Sequence, residues 1–246
     1  MKGDQTKFTI ARRDSLEEAC ISEMFDLLST HFAGVARDQF THDLLEKNWV
    51  VLIRRDSTLV GFSTLVVYET KFAGEPVSVV YSGDTIMAPE AWGSTTLARG
   101  WIAAVNRLRE HYPRGNYYWL LLTSGFRTYR FLPVFWREFF PCYEKKKPHS
   151  LRKLRDHLAE ERFGSQYDAG NGIVRFQHPQ RLRGELALIP TGRMNDPHVA
   201  FFAANNPGFS EGDELVCLTE LCPENLTRAG QRMVSSRTDE ALCDHR

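Results

Sequence analysis

The stretch VSVVYSGDTIM, residues 77–87, and the loop PEAWGSTT, residues 89–96, together decide the fold of this chain. The first half of the stretch is a nearly continuous apolar run, interrupted by Ser78, which is typical of a strand buried on both faces. Polar and small residues occupy positions 82–85, and an amphipathic helix is predicted over residues 94–111. A small-residue loop at a helix N-terminus presents unpaired N–H groups, and the helix dipole favours negative charge there. The segment therefore predicts an anion site suited to a phosphate or pyrophosphate.

The patterns on both sides of this segment predict further helices and strands. A helix starts at Ser15, where Glu18 completes a capping box. The other predicted helices cover residues 38–46, residues 126–140 and a charged stretch that ends at Gly164, and the other predicted strands cover residues 49–54, 58–69, 116–124, 198–208 and 214–221. We therefore expect an α/β fold: a mixed, mostly antiparallel twisted sheet with helices on both faces and a C-terminal insertion or extension.

Changes of composition along the chain predict four segments. Residues 1–140 form the core, and residues 141–195 form an insertion with the charged helix. Residues 196–224 supply C-terminal strands that complete the sheet, and residues 225–246 form a polar tail. The sequence leaves open whether the insertion covers the site or forms a homodimer contact.

Bulk composition excludes several classes of protein. The 31 basic and 31 acidic residues cancel, so the net charge favours neither nucleic acid nor a membrane surface. No apolar run approaches the roughly 20 residues needed to span a bilayer, and the polar N-terminus lacks the pattern of a signal peptide, so we expect a cytoplasmic protein. The five cysteines are scattered and form no CxxC pair, which predicts reduced thiols and no metal site.

The order of predicted elements resembles the GNAT superfamily of acyl-CoA-dependent N-acyltransferases. The resemblance covers residues 15–140. An N-terminal strand, which the pattern does not place on particular residues, makes residues 77–87 the fourth strand of that fold. The family loop carries the pattern Arg/Gln-x-x-Gly-x-Gly/Ala, and Glu90, Gly93 and Thr95 occupy the matching positions here. Only Gly93 fits. This departure indicates a divergent branch, an acyl-carrier protein as donor, or a module that no longer binds CoA.

The resemblance implies acetyl-CoA or a longer acyl-CoA as co-substrate and no metal. The co-substrate is expected at the strand end and the following loop, at Thr85, Ile86, Met87, Gly93, Ser94, Thr95 and Thr96. The Ser and Thr residues of this loop can also be interpreted as the N-cap of the following helix. The tyrosine that protonates the leaving thiolate in the family falls on Phe135, which has no hydroxyl. Tyr129, earlier in the same predicted helix, is the nearest substitute.

Asp84 is the best candidate for the catalytic base. It lies at the carboxyl end of the buried strand, where α/β folds place ligands. There it can take a proton from an attacking amine, bind a cationic amine, or only accept hydrogen bonds from its neighbours. Glu90 is a second candidate base, with a solvated loop carboxylate as the alternative. The backbone N–H groups of residues 82–85 can polarise a thioester carbonyl.

Two groups of basic residues follow the core strands. Arg127 and Arg130 lie at the start of a predicted helix, where their charge opposes the helix dipole. They are interpreted either as a site for a carboxylate or the cofactor phosphate or as a solvated helix start. A second patch comprises Lys145, Lys146, Lys147, His149, Arg152, Lys153 and Arg155. The patch is interpreted either as a solvated helix face or as a docking surface for an acidic carrier protein.

Two functions follow from these observations. The first is an acyltransferase that moves an acyl group directly from an acyl-CoA or acyl-carrier thioester to a small-molecule amine, with Asp84 as the base. The alternative is a non-catalytic GNAT-like module that binds an acyl thioester or a protein partner. A nucleotide-binding regulator ranks last, because the chain has neither a P-loop nor a GxGxxG motif.

Overall fold

The computed structural model describes residues 6–91, 95–144 and 149–234. These residues form eleven strands and eight helices, with short 3₁₀ turns between them. The strands are β1 (Thr6–Arg12), β2 (Phe32–Ala33), β3 (Trp49–Arg55), β4 (Thr58–Phe72), β5 (Glu75–Met87), β6 (Asn116–Thr123), β7 (Phe139–Phe140), β8 (Tyr167–Asp168), β9 (Ile173–Val174), β10 (Arg181–Leu182) and β11 (Glu214–Glu220). The helices are α1 (Glu18–His31), α2 (Arg37–Leu45), α3 (Thr96–Leu108), α4 (Phe126–Tyr129), α5 (Phe131–Phe135), α6 (His149–Phe163), α7 (Pro197–Asn205) and α8 (Arg228–Val234).

The main sheet has the order β1-β3-β4-β5-β6-β11-β9-β8, and β7 pairs with the far end of β11. All of its pairings are antiparallel except that of β5 with β6, which is parallel. Helix α3 makes the crossover between those two strands, as a parallel pair requires. β10 pairs with β2 in a separate two-stranded sheet. The expected mixed, mostly antiparallel sheet is confirmed.

Helices cover both faces of the main sheet, also as expected. Alternate residues of β5, β6 and β11 face opposite sides, so each strand contributes to two separate apolar clusters. On one face, α3, α4, α5, α7 and α8 pack over a cluster that includes Trp101 and Trp119. On the other face, α1 and α2 cover β3 and β4, and α6 covers β5, β6 and β11. The charged helix of the predicted insertion thus buries its leucines against the sheet.

At the start of the chain, the structure locates the unplaced N-terminal strand and corrects the predicted start of the first helix. The N-terminal strand that the pattern did not place is β1, so β5 is the fourth strand of the main sheet along the chain. The predicted capping box at Ser15 is wrong, because the Ser15 hydroxyl donates to the Arg12 carbonyl at 2.7 Å within a 3₁₀ turn. Helix α1 begins at Glu18, with Glu17 as its N-cap.

The predicted strand over residues 198–208 is wrong, because helix α7 occupies this position. Pro197 stands at its first turn, and the Asp196 side chain accepts the His198 N–H at 3.0 Å, so a capped helix start outweighs the apolar run. The predicted helix over residues 126–140 is two short helices and strand β7. The expected polar tail starts with helix α8, which packs against α3; residues 235–246 lie outside the described residues.

Candidate functional site

Strands β5 and β6 separate at the centre of the sheet. They pair in parallel from Val77 with Asn116 up to Ser82 with Leu121, and beyond this point β5 pairs only with β4 while β6 pairs only with β11. A β-bulge accompanies the separation: Gly83 and Asp84 of β5 lie opposite the single residue Thr64 of β4. A bulge bends its strand and redirects its side chains. The result is an opening through the sheet at the carboxyl end of β5.

A polar cavity of about 670 Å³ lies on the face of the sheet that carries α1, α2 and α6. Asp84 of β5, Glu214 of β11 and Lys47, just after α2, line its interior, and Arg162 of α6 lines another side. Gln180, in the segment that leads into β10, also lines the cavity. The polar cavity therefore collects charged side chains from four separate parts of the chain and an amide from a fifth.

An apolar cavity of about 660 Å³ lies on the opposite face. Thr95 and Leu97 at the N-terminus of α3 form one wall. The remaining wall is largely aromatic and comprises Trp101, Trp119, Phe126, Phe131 and Phe135. Trp101 and Trp119 pack with a ring-centroid distance of 4.0 Å. The Trp119 indole N–H donates to the Ser82 hydroxyl at 2.9 Å, which fixes this wall to the point where the strands separate.

The two cavities meet at this opening. They share six lining residues, which are Phe32, Ser82, Thr85, Leu121, Ser124 and Thr128. Ser82 and Leu121 are the last paired residues of β5 and β6, and Thr85 and Ser124 lie beyond them on the two separated arms. A group bound in the apolar cavity can therefore reach through the opening to a group bound in the polar cavity.

Asp84 and Lys47 form the electrostatic centre of the polar cavity. Burial raises the pKa of Asp84 to about 6, while the positive charge of Lys47 and a hydrogen bond from Gln180 act against the rise. Burial lowers the pKa of Lys47, and Asp84 acts in the opposite direction. The Lys47 ammonium donates to the Asp43 carbonyl at 2.9 Å, and its chain lies so close to the bulge that a Cβ on Gly83 would come within 2.6 Å of Lys47 Cε.

Glu214 is the second perturbed carboxylate of this cavity. Burial raises its pKa to about 8, and the neighbouring negative charge of Asp84 adds to the rise. Its strand neighbour Leu215 pairs with Thr123 at the end of β6, so Glu214 lies across the opening from Asp84. Titratable groups with shifted pKa values that converge in a cavity are frequent at functional sites.

Arginine side chains surround the apolar cavity. Arg127, Arg130 and Arg193 all line it. Arg127 donates to the Leu186 carbonyl at 3.3 Å, and Arg130 pairs with Asp196 at 2.9 Å. Burial lowers the pKa of Arg127, and the nearby charge of Arg193 acts in the same direction. Two neighbouring guanidinium groups beside a helix N-terminus suit an anionic ligand.

The structure brings most of the predicted site residues together. Asp84 lines the polar cavity, and Thr85, Ile86, Met87, Thr95, Arg127 and Arg130 line the apolar cavity. Thr96 begins α3 but is not part of either lining. Gly93 and Ser94, the centre of the expected anion loop, lie outside the described residues, as do Lys145, Lys146 and Lys147.

Two candidate catalytic residues do not reach the cavities. Glu90 is exposed in a 3₁₀ turn and lines neither cavity. Tyr129 is fully buried, and its hydroxyl donates to the Pro141 carbonyl at 3.0 Å. Burial raises the Tyr129 pKa, which disfavours its anion. Its position indicates a structural role, whereas Phe135 forms part of the apolar wall.

Lys47, Glu214, Arg162 and Arg193 are not among the site residues selected from the sequence. Lys47 follows a helix and Glu214 begins a strand, where charged residues are ordinarily solvated. Their local sequence carries no signal of burial. Only the pairing of distant strands places them beside Asp84.

In residues 6–91, 95–144 and 149–234, no group of three or more His, Cys, Asp or Glu side chains is placed to hold a metal ion. None of the helices in these same ranges has the length and apolar character needed to cross a membrane.

No protein-family model and no curated protein matches the chain. Among solved structures it resembles a probable N-acyltransferase from Enterococcus faecalis, with 15% identity and a TM-score of 0.41 over 55% of this chain and 33% of that chain. It also resembles an acyl-CoA N-acyltransferase from Pseudomonas aeruginosa, with 14% identity and a TM-score of 0.38 over 47% and 79% of the two chains. An aminoglycoside N-acetyltransferase in complex with CoA gives 15% identity and a TM-score of 0.37 over 47% and 76%.

The match thus spans one third of the Enterococcus faecalis structure. Of the solved structures named above, two are N-acyltransferases or N-acetyltransferases and one is a probable N-acyltransferase, the class that the sequence resembles. At such low identity and TM-score, the function of this chain has to be argued from its own cavities and charges.

Proposed function

We propose that this chain is an acyltransferase that transfers an acyl group directly from a thioester donor, an acyl-CoA or an acyl-carrier, to an amine. One observation carries the proposal. Two cavities on opposite faces of the sheet, one apolar and one polar, meet at the opening where β5 and β6 separate. Direct transfer requires two substrates held on either side of one reaction point, and this opening provides it.

The lining of the apolar cavity fits a thioester donor. Its aromatic wall suits the uncharged arm of such a donor, and the α3 N-terminus with Arg127 and Arg193 suits its phosphates. The thioester then lies at the opening beside Ser82 and Thr85, which both cavities share. In this proposal, strand-end N–H groups at the bulge polarise its carbonyl.

The polar cavity supplies the acceptor side of the reaction. The amine nitrogen attacks the thioester carbonyl carbon, so a C–N bond forms and the C–S bond breaks. Asp84 accepts the proton that the amine loses, and the thiolate that leaves takes up a proton from water. With a pKa of about 6, Asp84 is largely ionised at neutral pH and is a stronger base than an ordinary aspartate. Lys47 keeps this carboxylate ionised in its buried position.

Donor binding tests the proposal by isothermal titration with acetyl-CoA, free CoA, a long-chain acyl-CoA and acetyl-pantetheine. We expect saturable binding of at least one donor. Leu97→Trp fills the apolar cavity and is expected to weaken that binding by about tenfold or more, equivalent to about 1.4 kcal/mol. Val234→Trp adds the same side chain at an exposed position of α8 and serves as the matched control.

The possible outcomes separate the two candidate functions. Binding of a donor with acyl transfer to an amine supports the acyltransferase. Donor binding without transfer to any amine indicates the non-catalytic module. If none of the four compounds binds, or if Leu97→Trp binds them as well as the wild type does, the assignment of the apolar cavity to the donor is wrong.

A further inference from the structure

Carboxylates dominate the lining of the polar cavity. Five acidic side chains line it, from α2, β5, α6, β11 and the residue after α2: Asp43, Glu46, Asp84, Glu161 and Glu214. Lys47 and Arg162 are the basic side chains of the same lining, and His178 is its histidine. Within the described part of the chain, the cavity wall therefore carries an excess of negative charge.

Both cations of the cavity already have partners. Arg162 pairs with Glu46 at 3.6 Å and lies over the Tyr81 ring, 4.0 Å from its centroid. The Lys47 ammonium donates to the Asp43 carbonyl and is electrostatically coupled to Asp84. These interactions partly neutralise the negative charges of Glu46 and Asp84. Because both cations already have partners within the protein, neither is positioned to bind an anionic ligand.

Glu214 differs from the other carboxylates of this wall. Among the described residues, its side chain forms no ion pair and accepts no hydrogen bond, and it is only partly exposed to solvent. Asp84, its charged neighbour, carries the same sign. A desolvated carboxylate without a cation is costly, and a cationic group that enters the cavity would remove this cost. Glu214 also lies across the opening from Asp84, so it faces the far side of an amine bound for reaction.

We propose that the acceptor is a cationic amine with a second positive group, such as a diamine, and that Glu214 is the residue that binds this second group. The inference rests on the proposed acyltransferase function, because it assigns the polar cavity to the acceptor. One amino group lies at Asp84 and is acylated, and the other remains charged at Glu214. An acceptor with a carboxylate in place of the second amine brings no cation to Glu214 and adds a negative charge to an acidic wall, so it is expected to bind more weakly.

Three probes of equal chain length test the acceptor class on the full-length protein. Isothermal titration compares 1,4-diaminobutane, butylamine and 4-aminobutanoate, which differ only at the group that would meet Glu214. We expect the diamine to bind at least about tenfold more tightly than butylamine, and 4-aminobutanoate to bind more weakly than both. Equal binding of the diamine and butylamine, or preferred binding of 4-aminobutanoate, would overturn the inference without any variant.

Variants at the two ends of β11 test whether Glu214 causes the preference for the diamine. Glu214→Gln is expected to remove the advantage of the diamine over butylamine, and Glu214→Asp to restore part of it. Glu220→Gln changes the same residue type at the other end of the strand, outside the cavity wall, and is expected to keep the advantage. If the diamine keeps its advantage in Glu214→Gln, or loses it equally in Glu220→Gln, Glu214 is not the selecting residue.

Donor binding separates failure of this inference from failure of the proposed function. Glu214→Gln is expected to bind acetyl-CoA as the wild type does, because Glu214 does not line the apolar cavity. Unchanged donor binding with no preference for the diamine rejects the cationic acceptor and leaves the acyltransferase intact. Absence of donor binding in the wild type rejects the acyltransferase itself, and a diamine preference in that case identifies the polar cavity as a binding site only.

Discussion

The pH dependence of folding stability gives a sharp test of the charge environment of Glu214. Burial raises the Glu214 pKa from 4.5 to about 8 in the folded chain. The folded state thus keeps its proton to about pH 8, whereas the unfolded state releases it near pH 4.5. The stability that this proton contributes is fully present below pH 4.5 and is lost as the pH rises to about 8. The glutamine side chain in Glu214→Gln does not titrate, so the variant does not lose this stability as the pH rises.

The size of the effect follows from the same shift. Each pH unit corresponds to about 1.4 kcal/mol, so the full span from pKa 4.5 to about 8 corresponds to about 5 kcal/mol. This value is an upper bound, because Glu214 keeps some contact with solvent. We expect the stability of Glu214→Gln relative to the wild type to rise between about pH 5 and about pH 9 and then to level off.

Urea unfolding followed by tryptophan fluorescence measures this difference, since the chain has five tryptophans. Glu75→Gln, at the exposed first position of β5, is the control and is expected to show a flat difference. A difference between Glu214→Gln and the wild type that stays constant from acid to alkaline pH would refute the argument that Glu214 is a desolvated carboxylate without a cationic partner.

Two further substitutions test the roles of individual residues in the proposed reaction. Asp84→Asn removes the base and is expected to lower turnover about a hundredfold or more, while donor binding measured by titration stays within about twofold. Loss of the folded state, seen by circular dichroism, would instead show that Asp84 is a structural hydrogen-bonding residue. Tyr129→Phe leaves the buried Pro141 carbonyl without its donor, so we expect a loss of about 1–3 kcal/mol in unfolding free energy and turnover near that of the wild type. A large fall in turnover at unchanged stability would restore Tyr129 as a proton donor.

The central strand–loop–helix unit could be predicted because its signals are local. A continuous apolar run predicts a strand buried on both faces, and β5 is such a strand between β4 and β6. The stripe that includes Leu97, Trp101 and Val105 predicts helix α3, which packs on the sheet. Asp84 was identified as a site residue because strand ends in such folds bind ligands.

Where local signals compete, the prediction from sequence was wrong. The apolar run at residues 198–205 fits a strand as well as a helix by composition, and the Asp196 cap with Pro197 decides for a helix. Ser15 fits a capping box by spacing, but its hydroxyl turns back to the Arg12 carbonyl. The two short helices that replace residues 126–140 follow from Pro133, which lies in the first turn of α5, where its missing N–H costs no helical bond.

The sequence by itself determined the type of fold and one side of the candidate site. The alternation of apolar and polar residues sets which faces of β5 and α3 are buried, and this information is contained within each segment. Only the tertiary structure decided that Lys47, Asp84 and Glu214 share one cavity and that this cavity meets a second one through the sheet. The physical reason is that burial of a charged side chain depends on which distant strands become neighbours, and the local sequence around Lys47 or Glu214 carries no record of that pairing.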